Sequence, residues 1–172
     1  IRGMADDVCV SPEILNIMIA SHKEKKSDVT LCYPGIYPDG VIGELYSFHA
    51  LEKLYKDIKF KETEYLTYYF AATYKAYKMN IIKLPHYYNS DWYLTLDYQE
   101  DLDLFEKIYK KYKNQPYISF NMLKQFFKHF DYKDYNRVIG LGSDWKKTME
   151  MLNEKCKNLE KFEKCYDIKS RL

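Results

Sequence analysis

The sequence lacks a long apolar run, a strong excess of charge of one sign and a secretion signal. Its longest purely apolar stretches span only a few of the 172 residues, which excludes a membrane-spanning helix. The formal net charge is +2, and lysine and glutamate are interspersed without a basic block, so nucleic-acid binding is not indicated. No cationic and apolar leader opens the chain. These absences predict a soluble, cytoplasmic protein without a membrane or nucleic-acid partner.

Cysteine and histidine are few and scattered. No CxxC pair is present, and no histidine is placed near a cysteine in the arrangement of a zinc ligand set. We therefore expect reduced, structural thiols at the four cysteines, Cys9, Cys32, Cys156 and Cys165. The four histidines fall on different predicted elements, and the sequence assigns none of them a role.

The glycine patterns that bind phosphate, GxGxxG and GxxxxGK, are absent from the sequence. A complete α/β nucleotide-binding domain would place a first strand and a glycine-rich loop upstream. The sequence instead opens on IRGMADDVCV, a pattern typical of a strand end followed by a loop that carries Asp6 and Asp7. We expect either the carboxyl-terminal part of such a domain or a domain of another kind.

Helix and strand patterns alternate through the rest of the chain. Apolar residues at helical spacing predict helices at 12–25, 48–58, 62–77 and 121–130, and a further helix after Asp97. Ser11, Ser47 and Ser119 are the expected caps of the first, second and fourth of these. Strand patterns lie at 28–33, 41–47, 79–84 and 92–96. This alternation predicts a three-layer α/β fold, with a mostly parallel sheet flanked by helices.

Two features refine this organisation. In the helix at 48–58, Leu51, Leu54, Tyr55 and Ile58 share one apolar face. Residues 1–139 are predicted to form one domain part. Residues 140–172, which begin with a candidate hinge between Gly140 and Gly142, are predicted to form a helical tail or the start of a following region.

Asp97 stands between a strand pattern and a helix pattern in WYLTLDYQEDLDLFEKIY. Ligands bind at the carboxyl ends of strands in open α/β sheets, and Asp6 occupies a similar predicted strand end, so both acids are candidate binding residues. The alternative is structural, because Asp97 and Glu100 have the spacing of a capping box at a helix start. The residues by themselves leave both interpretations open.

Four segments resemble a known family when they are taken in order: MADDVCVSPEIL, YPDGVIGELYSFHALEKL, ETEYLTYYF and WYLTLDYQEDLDLFEKIY. They are similar to GDxPLxxPE, YPDGxDVEVFSxxALE, EHVTPY and LTVDTPEDLxLxxxIY of the cytidylyltransferase-like enzymes of spore coat polysaccharide and nonulosonate biosynthesis. These enzymes are relatives of the CMP-3-deoxy-manno-octulosonate synthetases. The resemblance covers residues 2–137 and implies a Rossmann-like nucleotide-diphospho-sugar transferase fold. The family's amino-terminal part, with its Arg/Gly/Lys phosphate loop, would lie upstream of Ile1.

The resemblance also implies an activity, namely transfer of a nucleotidyl group to a sugar with release of pyrophosphate. Asp6 and Asp97 match the family's two metal-binding aspartates, which are catalytic and hold Mg²⁺. The positions that match substrate-binding segments are Asp39, Gly40, Glu44, Glu64 and Thr67. The resemblance favours CTP over GTP as the nucleotide donor. It also implies a homodimer, because the family's dimers use the region after YPDG. Aromatic residues in the matching segments here are Tyr46, Phe48, Tyr65, Tyr68 and Tyr69.

The chain departs from the family pattern at Ala5, Val8, Ile42, Tyr65, Tyr68, Tyr98 and Gln99. These departures leave the metal pair intact and change the surroundings of the sugar. Without the upstream phosphate loop we expect the 172-residue chain alone to be inactive.

Simpler interpretations stand beside these assignments. Asp7 is expected to be a solvated loop acid, Glu44 has a solvated strand face as its alternative, and YPDG is an ordinary turn. A second hypothesis is a nucleotide-sugar-dependent glycosyltransferase with a DxD metal motif. Asp101 and Asp103 have this spacing, but they fall inside a predicted helix, where their carboxylates would diverge. A third is a non-catalytic dimerisation remnant of the same fold.

Overall fold

The computed structural model of the protein describes residues 1–33, 36–57 and 66–130. In chain order the elements are α1 (Pro12–Lys25), β1 (Val29–Cys32), β2 (Leu45–Tyr46), α2 (Phe48–Asp57), α3 (Leu66–Ala72), a 3-10 turn (Tyr74–Ala76), β3 (Met79–Ile82), a second 3-10 turn (His86–Tyr88), α4 (Gln99–Lys111) and α5 (Phe120–Phe127).

Helix α1 begins and ends where local chemistry predicts. The Oγ of Ser11 accepts the N–H of Ile14 at 3.4 Å, and Pro12 opens the helix with a fixed φ. The chain leaves the helix at Lys26, whose φ of 47° is left-handed. Ser47 and Ser119 cap α2 and α5 in the same way, so all three predicted serine caps are confirmed.

Three strands form one mixed sheet in the order β2-β1-β3. β1 runs parallel to β3, with Thr30 opposite Asn80, and antiparallel to β2, with Thr30 opposite Leu45. The α/β class is therefore confirmed, with a small mixed sheet in the described part of the chain. A three-layer arrangement around a mostly parallel sheet stays a prediction.

Two predicted strands differ from expectation. In the segment 41–47 the strand is limited to Leu45–Tyr46, because the carbonyl of Val41 accepts from the N–H of Ser11 and Glu44 pairs with Arg2. The segment 92–96 makes an isolated parallel bridge between Tyr93 and Asp39 instead of a strand. In both segments, successive backbone groups form hydrogen bonds with different parts of the chain. A continuous ladder with one neighbouring strand therefore does not form.

Alternate strand residues face two different hydrophobic clusters, as the pleat of a sheet requires. Val29 and Leu31 pack with Phe70 and with the buried residues of α2. Cys32 and Ile82 pack in the larger cluster, with the buried faces of α1, α4 and α5. The two faces of the sheet thus contribute to different clusters.

A buried polar network fixes the register of β1 against β3. Thr30 and Asn80 are opposite each other and almost inaccessible to solvent. The Nδ1 of His22 lies 2.9 Å from the Thr30 hydroxyl, and the Lys25 ammonium donates to the Asn80 side-chain oxygen at 2.9 Å. A one-residue slip would leave these buried groups without partners, which is costly.

The apolar face of α2 differs from the prediction. Its buried residues are Ala50 and Leu54, whereas Tyr55 is 66% exposed. The buried stripe is therefore rotated around the helix away from Tyr55. Ile58 and residues 62–65 of the next predicted helix lie outside the described residues, as does the tail at 140–172.

The cysteine prediction is confirmed for two of the four thiols. Cys9 and Cys32 are free and buried, and burial raises the pKa of each thiol to about 12. Both are therefore protonated at neutral pH. Cys156 and Cys165 lie outside the described residues. None of the described helices combines the length and the apolar character needed to cross a membrane.

The start of α4 corrects the capping prediction. The N-cap is Tyr98, and the acid that reaches back is Asp101, so a capping box of Asp97 with Glu100 is wrong by one position. One Asp101 oxygen accepts the N–H of Asp97 at 2.9 Å and that of Tyr98 at 2.8 Å. Asp101 is 1% exposed, so water does not compete for these bonds.

We expect Asp101→Ala to lower the free energy of unfolding by about 1–2 kcal/mol, because two backbone donors lose their acceptor. Asp103→Ala is the matched control, since Asp103 is exposed and bonds Gln99 on the same helix. Its cost should stay within about 0.5 kcal/mol. Urea unfolding at neutral pH measures both, and equal costs would contradict the assignment.

Candidate functional site

The candidate site forms where an extended segment, residues 93–97, meets two loops. The N–H of Leu94 donates to the carbonyl of Asp39 at 2.9 Å, and the N–H of Leu96 donates to the carbonyl of Asp6 at 2.9 Å. Alternate N–H groups of an extended chain point to the same edge. Asp39 and Asp6 therefore lie one after the other along this edge, and the backbone of Asp6 bonds the residue that precedes Asp97.

Gly40 permits the close approach of one of these loops. Its φ is +81°, and a Cβ at this position would lie 1.8 Å from the carbonyl oxygen of Leu94. Only glycine fits such a contact. The presence of Gly40 in YPDG thus has a structural explanation, and its predicted contact with a substrate stays a prediction.

Asp97 is exposed at the end of the segment, and its side chain is oriented by a neighbour. The hydroxyl of the buried Thr95 donates to Asp97 Oδ2 at 2.6 Å. The Asp97 N–H is held by Asp101. Backbone and side chain of Asp97 are therefore both held in place, one residue after the Leu96 N–H that bonds the Asp6 carbonyl.

Asp7 is not the solvated acid that the sequence suggests. It is half-buried, and its pKa is raised from 3.8 to about 6. Burial contributes most, followed by repulsion from Asp6, with further repulsion from Glu44 and Asp39. The pKa of Asp39 is also raised by desolvation, although the residue keeps an exposed part. The carboxylate of Asp7 thus lies close enough to those of Asp6, Glu44 and Asp39 to be repelled by them.

Glu44 and Thr67, two predicted substrate-binding residues, contact each other in a second group of side chains. Glu44 Oε2 accepts from Arg2 Nη1 at 2.6 Å and from the Tyr46 hydroxyl at 2.7 Å, and Glu44 Oε1 accepts from the Thr67 hydroxyl. The interpretation of Glu44 as a solvated strand residue is therefore wrong. We call this group the Glu44 network.

Sequence reasoning missed Arg2 and Tyr46 as members of this network. A signal for Tyr46 was available, because residues two apart on a strand share a face and Glu44 is its neighbour by that rule. Arg2 carried no comparable signal, since it pairs with Glu44 across 42 positions of the chain.

The carboxylates of Asp6 and Asp97, next to the extended segment 93–97, are ligands of the type that Mg²⁺ uses. No group of three or more histidine, cysteine or acidic side chains is arranged to hold a metal within residues 1–33, 36–57 and 66–130. Mg²⁺ is commonly bound by one or two carboxylates, with waters and substrate phosphates completing its coordination. Asp6 and Asp97 fit that pattern. The predicted contact at Glu64 lies outside the described residues.

Comparison with curated proteins finds a partial likeness. The chain is 27% identical over 122 residues to the spore coat polysaccharide biosynthesis protein SpsF of Bacillus subtilis (strain 168). The match covers 69% of this chain and 50% of SpsF, so the chain spans about half the length of this relative. No protein-family model matches the chain, and no solved structure matches it. The likeness supports the resemblance to the polysaccharide-biosynthesis family without distinguishing a subfamily.

The raised pKa of Asp7 predicts a pH-dependent gain from Asp7→Asn. The folded protein holds this proton up to about pH 6, whereas the unfolded chain loses it near 3.8, so ionisation above this range costs stability. At about pH 7.5 we expect the variant to be more stable by about 1 kcal/mol, a value discounted for partial exposure. The gain should be smaller at about pH 4.5, where folded Asp7 is protonated, and should vanish below about pH 3.8, where the unfolded chain is protonated as well.

Urea unfolding of both proteins at the two pH values measures this difference. Other titrating groups are shared by the two proteins and cancel in the comparison. A variant that is no more stable than the wild-type protein at the higher pH would show that Asp7 is not destabilised by its surroundings.

Proposed function

We propose that this chain is the carboxyl-terminal part of a sugar-activating nucleotidyltransferase for surface polysaccharide or glycan synthesis. The reaction transfers CMP from CTP to a sugar and releases pyrophosphate. The observation that carries the proposal is the hydrogen bond from the Leu96 N–H to the Asp6 carbonyl, which joins the backbone of one predicted metal-binding aspartate to the residue before the other. The likeness to SpsF, whose name places it in spore coat polysaccharide biosynthesis, supports the proposed setting.

The proposed chemistry explains a need for clustered acids. A sugar oxygen must approach the α-phosphorus of a triphosphate, so two electron-rich groups meet while the bond to pyrophosphate breaks. Mg²⁺, when bound by Asp6 and Asp97, would supply positive charge for the phosphates. Thr95 and Asp101 orient Asp97, and the crowded carboxylate of Asp7 adds negative potential that attracts the ion.

The glycosyltransferase alternative is weakened by the geometry of its motif. The Asp101 carboxylate is buried against the backbone at the start of α4, whereas Asp103 is exposed and accepts from Gln99. The two acids of the DxD spelling therefore do not converge on one ion. The non-catalytic alternative predicts no divalent-ion site at Asp6 and Asp97.

A manganese titration tests the proposed metal pair, with Mn²⁺ as a paramagnetic substitute for Mg²⁺. We expect Asp97→Asn and Asp6→Asn each to weaken Mn²⁺ binding by about tenfold or more, because each removes a charged oxygen ligand. The double variant should lose little beyond either single variant, since both residues serve one ion. Electron paramagnetic resonance of free Mn²⁺ provides the measurement.

Asp103→Asn is the control, because it removes an exposed carboxylate from the adjacent helix. Circular dichroism should show that all variants remain folded. Mn²⁺ affinity that is unchanged in Asp97→Asn would exclude the metal pair and favour the non-catalytic alternative.

We also propose that the chain forms a homodimer, through a surface that keeps Phe48 from the expected aromatic residues and adds Tyr55. Tyr69 is 6% exposed, and Tyr46 stacks on Phe70 with ring centroids 4.9 Å apart, so both belong to the chain's own core. Phe48 is 82% exposed and Tyr55 is 66% exposed. Residues seven apart lie on one helix face, so these two rings form an apolar stripe on α2.

An antiparallel pairing of two α2 helices places Phe48 against Tyr55 of the partner subunit, and the reverse contact follows by symmetry. We expect light scattering at tens of micromolar to report a dimer, a concentration at which a standard-size interface should hold. Phe48→Glu combined with Tyr55→Glu should give a monomer. Both side chains are largely exposed in the subunit, so folding should be preserved.

Tyr117→Glu is the control for the dimer, because Tyr117 is 51% exposed and lies away from α2 in the sequence. It should remain dimeric. A wild-type protein that is monomeric at this concentration would contradict the proposal.

A further inference from the structure

The loop that carries Asp6 and Asp7 has little packing of its own. A Cβ added at Gly3 would meet nothing within 4 Å, and Met4 is 37% exposed. Within the loop, the N–H of Asp7 donates to the Met4 carbonyl at 3.2 Å, which makes a local turn. Such a turn does not fix the loop relative to the sheet. Apart from the Leu96–Asp6 hydrogen bond, the position of Asp6 therefore depends on contacts at the two sides of the loop.

On the amino-terminal side of the loop, Arg2 contacts Glu44 through both its backbone and its side chain. Their backbones exchange two hydrogen bonds of 2.8 and 3.0 Å, and their side chains form an ion pair of 2.6 Å. The side chains are about one quarter exposed, at 24% and 25%. An ion pair in this setting is less screened by solvent than one on an open surface.

Glu44, the partner of Arg2, is linked to the hydrophobic core through Tyr46. Glu44 also accepts from Tyr46 and Thr67, and these two hydroxyls lie 3.1 Å apart. The Tyr46 ring stacks on the fully buried Phe70. Glu44 is thus held by β2, by α3 and by the core beneath them, and it can hold Arg2 in turn.

We propose that Glu44 is a positioning residue, which fixes the loop of Asp6 on the sheet edge through Arg2. The inference rests on the proposed function, because it gives the metal-binding loop its support. It also changes the predicted role of Glu44 and Thr67. A carboxylate that already accepts three hydrogen bonds from protein side chains has few lone pairs left for a sugar.

Amide hydrogen exchange tests the proposal without a ligand. The Leu96 N–H bonds Asp6 and reports on the loop, whereas the Leu94 N–H bonds Asp39 on the same segment and serves as an internal reference. In Glu44→Ala and Arg2→Met we expect Leu96 to exchange about tenfold faster or more, with Leu94 unchanged, because only the loop contact opens. Glu44→Gln, which keeps an acceptor for the two hydroxyls, should retain part of the protection.

The matched control is Glu52→Ala. It removes a carboxylate from an exposed ion pair, Glu52 with Lys56 at 3.1 Å on α2, and should leave both amides unchanged. Arg2→Met provides a second variant if Glu44→Ala does not fold, since it leaves Glu44 bonded to Tyr46 and Thr67. Equal acceleration at Leu94 and Leu96, or acceleration at neither, would overturn the proposal.

A second measurement separates this inference from the proposed function. If both are correct, Arg2→Met should bind Mn²⁺ about tenfold more weakly, as expected for a residue that orients a ligand without touching the ion. If the wild-type protein does not bind Mn²⁺, the proposed function fails while the exchange result at Leu96 still decides the positioning role. Unchanged Mn²⁺ affinity in Arg2→Met, with binding intact in the wild-type protein, would overturn the positioning role.

Discussion

Hydrogen bonds from the extended segment 93–97 hold the candidate site together. Leu94 bonds Asp39 and Leu96 bonds Asp6, each at 2.9 Å, so one short segment brings together loops that are far apart in the sequence. The arrangement depends on Gly40, since a Cβ there would lie 1.8 Å from the Leu94 carbonyl oxygen. A larger residue would separate the Asp39 loop from the segment, and the common edge of the acids would be lost.

Electrostatic forces oppose this arrangement in the absence of a cation. Burial and the neighbouring carboxylates raise the pKa of Asp7 to about 6, so a fully ionised loop is costly at neutral pH. Arg2 offsets part of that cost, because its guanidinium attracts Asp7 as well as Glu44. Under the proposed function, the remaining negative potential is what draws a divalent ion to Asp6 and Asp97. The same charges would then lower stability in the free protein and favour binding.

The sequence predicts best those features that arise from neighbouring residues. Ser11, Ser47 and Ser119 cap helices at the expected positions, because capping involves residues two or three apart. The cap of α4 is misassigned by one position, since the two candidate acids, Glu100 and Asp101, are adjacent and only the fold shows which one is buried.

Features that depend on distant pairing were predicted less well. The prediction that Asp6 and Asp97 stand at strand ends is not met, because residues 1–6 and 93–97 make isolated bridges and not strands, although the Leu96 N–H does bond the Asp6 carbonyl. The burial of Asp7 and the pairing of Glu44 with Arg2 have no local signal, because they depend on contacts between distant positions, such as Arg2 with Glu44 at a separation of 42. The exposure of Tyr55 likewise depends on which face of α2 the sheet covers.

A loop that concentrates acids must be supported from outside, and helix α4 supplies part of that support at two points. At its start, Asp101 holds the backbone of Asp97. Near its end, the Tyr109 hydroxyl donates to the carbonyl of Val8 at 2.8 Å, on the carboxyl-terminal side of the acidic loop. The helix is held in the core by Leu104 and Ile108, which are almost completely buried. Because one rigid helix contacts both halves of the candidate site, a displacement of α4 would move Asp97 and the loop of Asp6 together, and their spacing would be conserved.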